Sequence, residues 1–96
     1  IDVMPTIMEL AGVEAARPIS GQSLIGIVHG KENGQRIAYS EFDDHRELEA
    51  VRTPRRKFIL HSTDETIELF DLAKDPGERH NIASESKSGV VTMREL

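Results

Sequence analysis

The densest run of side chains able to do chemistry is Asp43-Asp44-His45-Arg46. Two carboxylates and an imidazole could offer hard oxygens and one nitrogen to a cation. Together with Arg46 they could instead read polar groups of a ligand. A solvated loop between two strands has the same composition, and the pattern favours it. The other histidines, His29, His61 and His80, do not stand at i+2, i+3 or i+4 to one another or to His45, so no set with metal-ligand spacing emerges. A second charged run, Arg52, Arg55, Arg56 and Lys57, offers guanidinium groups suited to a tetrahedral oxyanion. It follows directly on Glu41, Asp43, Asp44, Glu47 and Glu49. Neighbouring strands of opposite charge are therefore expected to pair and cancel. No residue qualifies as a nucleophile: there is no Cys, and Ser20, Ser23 and Ser40 lack a G-x-S-x-G context. Phosphate loops of the G-x-x-x-x-G-K-[ST] or G-x-G-x-x-G type are also absent.

Composition narrows the classes further. Ninety-six residues suit one small domain with a thin stability margin. The core must be lean, because aromatics make up 4% and Trp is absent. A net charge of −5 and the lack of aromatics interleaved with basic residues argue against nucleic-acid binding. No apolar run is long enough to span a membrane. The absence of Cys excludes a disulfide scaffold and leaves the redox compartment, and hence localisation, open. The chain opens on Ile1 within a helical pattern and stops on the periodic stretch Val90 to Leu96, so it is expected to be a piece of a longer protein.

The elements that would position these groups can be read from periodicity. Residues 2–11 place Val3, Met4, Ile7, Met8, Leu10 and Ala11 at helical spacing, with Pro5 in the first turn and Gly12 as the stop. Asp2 is expected to cap the free N–H groups of that turn. A second short helix is predicted over 23–29, ending at Gly30, with Gly26 costing about 1 kcal/mol relative to Ala. From residue 36 the period changes to two. Strands are predicted over 37–42, 47–52, 57–61 and 67–72, with Leu48, Ala50 and Arg52 sharing one face. Asp75-Pro76-Gly77 reads as a tight turn with positive φ at Gly77, and residues 84–96 as a closing helix. The fold class is α+β: a small four-stranded antiparallel sheet with packed helices. It is organised as a helical lead-in (1–30), strands (36–72) and a terminal helix (84–96).

The order of several short motifs carries a resemblance. Asp2-Val3-Met4-Pro5-Thr6-Ile7 followed by Leu10-Ala11-Gly12-Val13 resembles the "D-x-x-P-T-[IL]…L-A-G" helix of sulfatases. Ser20-Gly21-Gln22-Ser23-Leu24 resembles the family's "x-G-x-S-L" segment. Ala38-Tyr39-Ser40-Glu41, Val51-Arg52-Thr53 and Arg56-Lys57-Phe58-Ile59 resemble its strands. Glu68-Leu69-Phe70-Asp71-Leu72, Asp75-Pro76-Gly77-Glu78 and Asn81-Ile82-Ala83 are similar to "E-L-Y-D-L-x-x-D-P-x-E-x-x-N-L-A". Three positions depart from the pattern, Gly26 for Pro, Arg56 for Trp and Phe70 for Tyr, none of which needs a different backbone.

The resemblance implies a single C-terminal subdomain, residues 1–96, of a sulfatase in the alkaline-phosphatase-like superfamily, and hence a fragment of a larger α/β hydrolase. Such enzymes carry a formylglycine made from Cys or Ser in a C/S-x-P-x-R motif, beside Ca²⁺ or Mg²⁺, all in the N-terminal catalytic domain. This chain has neither Cys nor Ser-x-Pro-x-Arg. No catalytic residue, metal ligand or cofactor is therefore assigned to it. Its expected partners are that N-terminal domain and a sulfate-ester substrate. Its expected role is to buttress the catalytic domain and add to the rim of the substrate cleft, with Asp43, Asp44, His45 and Arg46 as candidate substrate-facing residues. Two alternatives stay open. One is the corresponding part of a phosphonate or phosphodiester hydrolase of the same superfamily, and the other is a stand-alone interaction module.

Overall fold

The computed structural model describes residues 1–45 and 47–96, in two compact units, Ile1–Gly34 and Gln35–Leu96. In the first unit, helix α1 (Val3–Ala11) ends on Gly12, whose φ of 67° is the left-handed conformation predicted for that stop. Helix α2 (Ile25–Val28) is a single turn, shorter than the 23–29 predicted. Asp2 does not cap α1 with its side chain. Its Oδ1 instead accepts the backbone N–H of Gln22 at 2.8 Å. The Thr6 hydroxyl donates to the Asp2 carbonyl at 2.6 Å and accepts the N–H of Leu24 at 2.9 Å. Gly21, at φ 90°, lies where a Cβ would run into the backbone of Ile1. The D-x-x-P-T and G-x-S-L segments thus clasp each other, and this is the physical reason for their residue types.

In the second unit, β1 (Ala38–Asp43), β2 (Glu47–Arg52), β3 (Arg56–His61) and β4 (Thr66–Asp71) form an antiparallel meander in sequential order. Helix α3 (Lys87–Arg94) follows. The strands lie within a residue or so of the predicted spans. Strand pairing sorts side chains between two faces. Tyr39 stands opposite Val51, Val51 opposite Phe58 and Phe58 opposite Leu69. On this face Phe58, Leu69 and Met93 of α3 form the core, joined by Val51, Leu60, Ile67, Ile82 and Val90. Gly89 lets α3 settle there, since a Cβ would stand 2.6 Å from Ser86 Oγ and 3.0 Å from Leu69 Cδ2. On the other face the register aligns Ser40 with Ala50 and Ile59, and Phe42 with Leu48 and His61. There, Phe70 is buried on β4.

The segment after β4 closes that edge of the sheet. Asn81 Oδ1 accepts the N–H of Leu69 and of Ala83, each at 3.0 Å, and its Nδ2 donates to the Ile67 carbonyl. The N–H of Ile82 donates to the Leu69 carbonyl at 2.9 Å. The preceding turn differs from the prediction. Glu78 N–H bonds the Asp75 carbonyl, and positive φ falls on Glu78, at 52°, rather than on Gly77. Pro76 and Gly77 occupy the central positions of a turn needing no left-handed residue, so the reversal is completed one residue later. Asp75 Oδ2 then accepts the N–H groups of Arg79 and His80, and Glu78 reaches Lys57 at 2.8 Å.

Candidate functional site

The β1–β2 hairpin carries the residues predicted to face a substrate. Asp43 closes β1 opposite Glu47, the first residue of β2. In the connection between the two strands, His45 holds a φ of 59°. The His45 side chain is almost wholly exposed, and its Nε2 lies 3.9 Å from Asp44 Oδ1. Arg46 lies outside the described residues. Asp43, Asp44 and His45 are therefore brought together at an exposed hairpin tip. Among the described residues, no group of three or more His, Cys, Asp or Glu side chains is arranged to hold a metal ion.

Beside the tip, Glu41, Phe42, Asp43, Glu47, Leu48 and Glu49 line a shallow depression of about 220 Å³. Of these, sequence reasoning had singled out only Asp43 as a candidate site residue. Glu47 and Glu49 arrive from the second arm of the hairpin, and the hairpin spacing itself was the signal that could have found them. Tyr39 also belongs to this acidic face. Its hydroxyl donates to Glu41 Oε1 at 2.8 Å. That hydrogen bond, with lesser help from burial and the charges of Glu41 and Glu49, pushes the phenol up to about 12.

The expected cancellation between acidic and basic strands does not occur. Glu41 faces Glu49, Asp43 faces Glu47, and Arg52 faces Lys57. Each charged run straddles a hairpin turn, so the antiparallel register folds it back on itself. The basic run also fails to form one patch, because alternation sends Arg52 and Lys57 to one face and Arg56 to the other, opposite Asp71. Lys57 is already engaged by Glu78. Elsewhere, His61 Nε2 bonds Glu68 Oε2 at 2.9 Å, and His80 Nε2 bonds Glu85 Oε1 at 3.1 Å. At the β3–β4 turn, the Thr66 hydroxyl and then its N–H hold the Asp64 carboxyl below its ordinary range.

An open four-stranded meander with a helix packed on it, its motif residues engaged in clasps and turns, defines a small α+β domain. The comparisons give the family. Residues 1–95 match the family model described as N-sulphoglucosamine sulphohydrolase, C-terminal, and the chain belongs to that family of C-terminal sulfatase domains. It is 33% identical over 98 residues to a Delta 4,5-hexuronate-2-O-sulfatase of Bacteroides thetaiotaomicron, covering 95% of this chain and 20% of that protein. It is 34% identical over 95 residues to a choline-sulfatase of Rhizobium meliloti, covering 94% and 18%. Among solved structures it resembles a 2-O GAG sulfatase with a TM-score of 0.78 at 28% identity, covering 99% of this chain and 22% of that one. The yidJ protein of Bacteroides fragilis gives a TM-score of 0.83 at 26% identity, with 99% and 23% covered. The chain thus spans about a fifth of the length of these relatives. Among the described residues, no helix is long and apolar enough to cross a membrane.

Proposed function

We propose that this chain is the non-catalytic C-terminal part of a sulfate-ester hydrolase, supporting an N-terminal catalytic domain and lending the β1–β2 hairpin to the rim of its substrate cleft. The observation that carries this reading is the family match over residues 1–95, and several of its motif residues do structural work. Asp2, Thr6, Asp75, Glu78 and Asn81 are held in hydrogen bonds or ion pairs within their own unit. The relatives' names give a hexuronate sulfate and choline sulfate as substrates. Their common chemistry is the sulfate ester, and that is the substrate class proposed here.

The formylglycine and the Ca²⁺ or Mg²⁺ of such enzymes do not fit the residues of this chain. It has no Cys, and its described residues offer no ligand group. The proposal places both in the rest of the parent. What this chain can supply is charge at the hairpin tip. Asp43, Asp44, His45 and Arg46 would read polar groups on the alcohol part of the ester, each charged hydrogen bond contributing about 1.5–3 kcal/mol.

The test is to replace Asp43, Asp44 and Arg46 by Ala in the full-length parent and measure kcat/KM on a small aryl sulfate and a sulfated saccharide. The expected result is a loss of about tenfold or more on the saccharide, with the small ester unaffected. Equal values on both substrates would remove the hairpin from the cleft. A wild-type parent that cleaves phosphonates or phosphodiesters but no sulfate ester would favour the phosphoryl-transfer alternative.

A further inference from the structure

The β1–β2 hairpin is amphipathic in the wrong phase for its own unit. The face it shares with the Phe58, Leu69 and Met93 core presents Glu41, Asp43, Glu47 and Glu49. Of its apolar side chains only Tyr39 and Val51, at the end nearer the core, share that face; Ala38, Phe42, Leu48 and Ala50 lie on the opposite face, level with Ile59 of β3. Alternation allows a strand only one apolar face, and a hairpin that buried it in this core would have carried its carboxylates outward. Instead Phe42 is 56% exposed, Ala38 and Ser40 are exposed, and Leu48, Ala50 and Ile59 are half-buried. Only the β4 end of this face is filled, by Phe70.

We infer that this stripe, Phe42–Leu48 and Ala50–Ile59, is the seat of the N-terminal catalytic domain of the parent chain. The inference rests on the parent-chain reading proposed above and goes beyond it by assigning the face. About four-fifths of each relative's length lies outside the part matched here. A covalently tethered domain meets the stripe at an effective concentration on the order of millimolar, which a second copy of this chain does not reach at ordinary protein levels. The seat also orients the hairpin. With the apolar face held down, the acidic face carrying Tyr39, Glu41 and Glu49 points away from the catalytic domain, and the tip carrying Asp43, Asp44 and His45 is the part that can reach around its edge.

The experiment compares the full-length parent with the 96-residue chain. Ser40→Arg and Ala50→Lys place a cation on the stripe, and Glu49→Arg places one on the opposite face beside Ala50. The expected result is that both stripe variants lower the unfolding temperature of the full-length protein by about 2–4 °C or more, while the 96-residue chain moves by about 1 °C or less. Glu49→Arg should lower neither. Ser40→Arg is the milder change and reports even if Ala50→Lys prevents folding. A full-length protein indifferent to both stripe variants overturns the inference. So does a 96-residue chain that dimerises by sedimentation and loses the dimer on Ser40→Arg while the full-length protein is unmoved, since the occupant is then a second copy. Hydrolysis of an aryl sulfate by the wild-type parent is read separately, so a failed activity assignment is not confused with a failed seat.

Discussion

Glu41 stands directly opposite Glu49 across the β1–β2 ladder, and Tyr39 donates its hydroxyl to Glu41 at 2.8 Å. Like charges facing each other across a strand pair are destabilising. The phenol is the hydrogen-bond donor on which this acidic face relies, and it keeps its proton because the carboxylates beside it hold that proton in place.

The tyrosine should therefore titrate late. The chain has one Tyr and no Trp, so the ultraviolet absorbance of tyrosinate reports this residue alone. The expected midpoint is about 12, against an ordinary 10.0, and Glu41→Gln should move it back toward the ordinary value. The folded pKa is raised, so the hydrogen bond's contribution is fully present below the unfolded pKa of 10.0 and is lost as pH rises toward about 12. The ordinary midpoint in the wild-type chain would rule out the Tyr39–Glu41 bond in solution.

Glu78 combines an ion pair with a left-handed backbone. It meets Lys57 Nζ at 2.8 Å, with both side chains largely shielded, and holds φ at 52°. Glu78→Ala removes the pair and keeps the strain, and should cost about 1–2 kcal/mol in urea unfolding. Glu78→Gly loses the same pair but accepts the positive φ freely, and should recover about 1 kcal/mol of that loss. Equal urea midpoints for the two variants would show that the backbone here carries no strain.

Asn81 acts as a surrogate strand residue at the β4 edge. Its amide accepts from Leu69 and Ala83 and donates to Ile67. Asn81→Ala leaves both N–H groups without that acceptor and should cost about 1–2 kcal/mol. Asn81→Asp keeps the acceptor and loses only the donor, so its loss at neutral pH should be smaller. Amide exchange at Leu69 checks the assignment, since its protection should fall in the Ala variant and persist in the Asp variant.

Much of this was legible in the sequence because it depends on short range. Period-two alternation from Ala38 to Asp71 gives four strands, and Gly12 ends α1 because a left-handed stop suits glycine. The motif order from Asp2 to Asn81 gives the family, confirmed over residues 1–95. The turn after Asp75 was located, but its positive φ was assigned to Gly77. Residue type marks where glycine is tolerated, but the reversal is completed one residue later, at Glu78, where the following N–H groups of Arg79 and His80 are held by Asp75 Oδ2. Sequence neighbours alone suggest Asp2 as a helix cap, whereas its Oδ1 accepts the N–H of Gln22, 20 residues away.

What the sequence determined by itself was the order of elements and the family. Those follow from residue types and local periodicity. Tertiary structure alone decided which face each charge occupies and what it meets there. Composition counts acids against bases, but the register of a hairpin sets Glu41 against Glu49 and Arg52 against Lys57. It also turns Phe42, Leu48 and Ala50 away from the core formed by Phe58, Leu69 and Met93, while Val51 joins that core. The hairpin turns set this pairing between residues on separate strands, and one strand read alone contains no record of it.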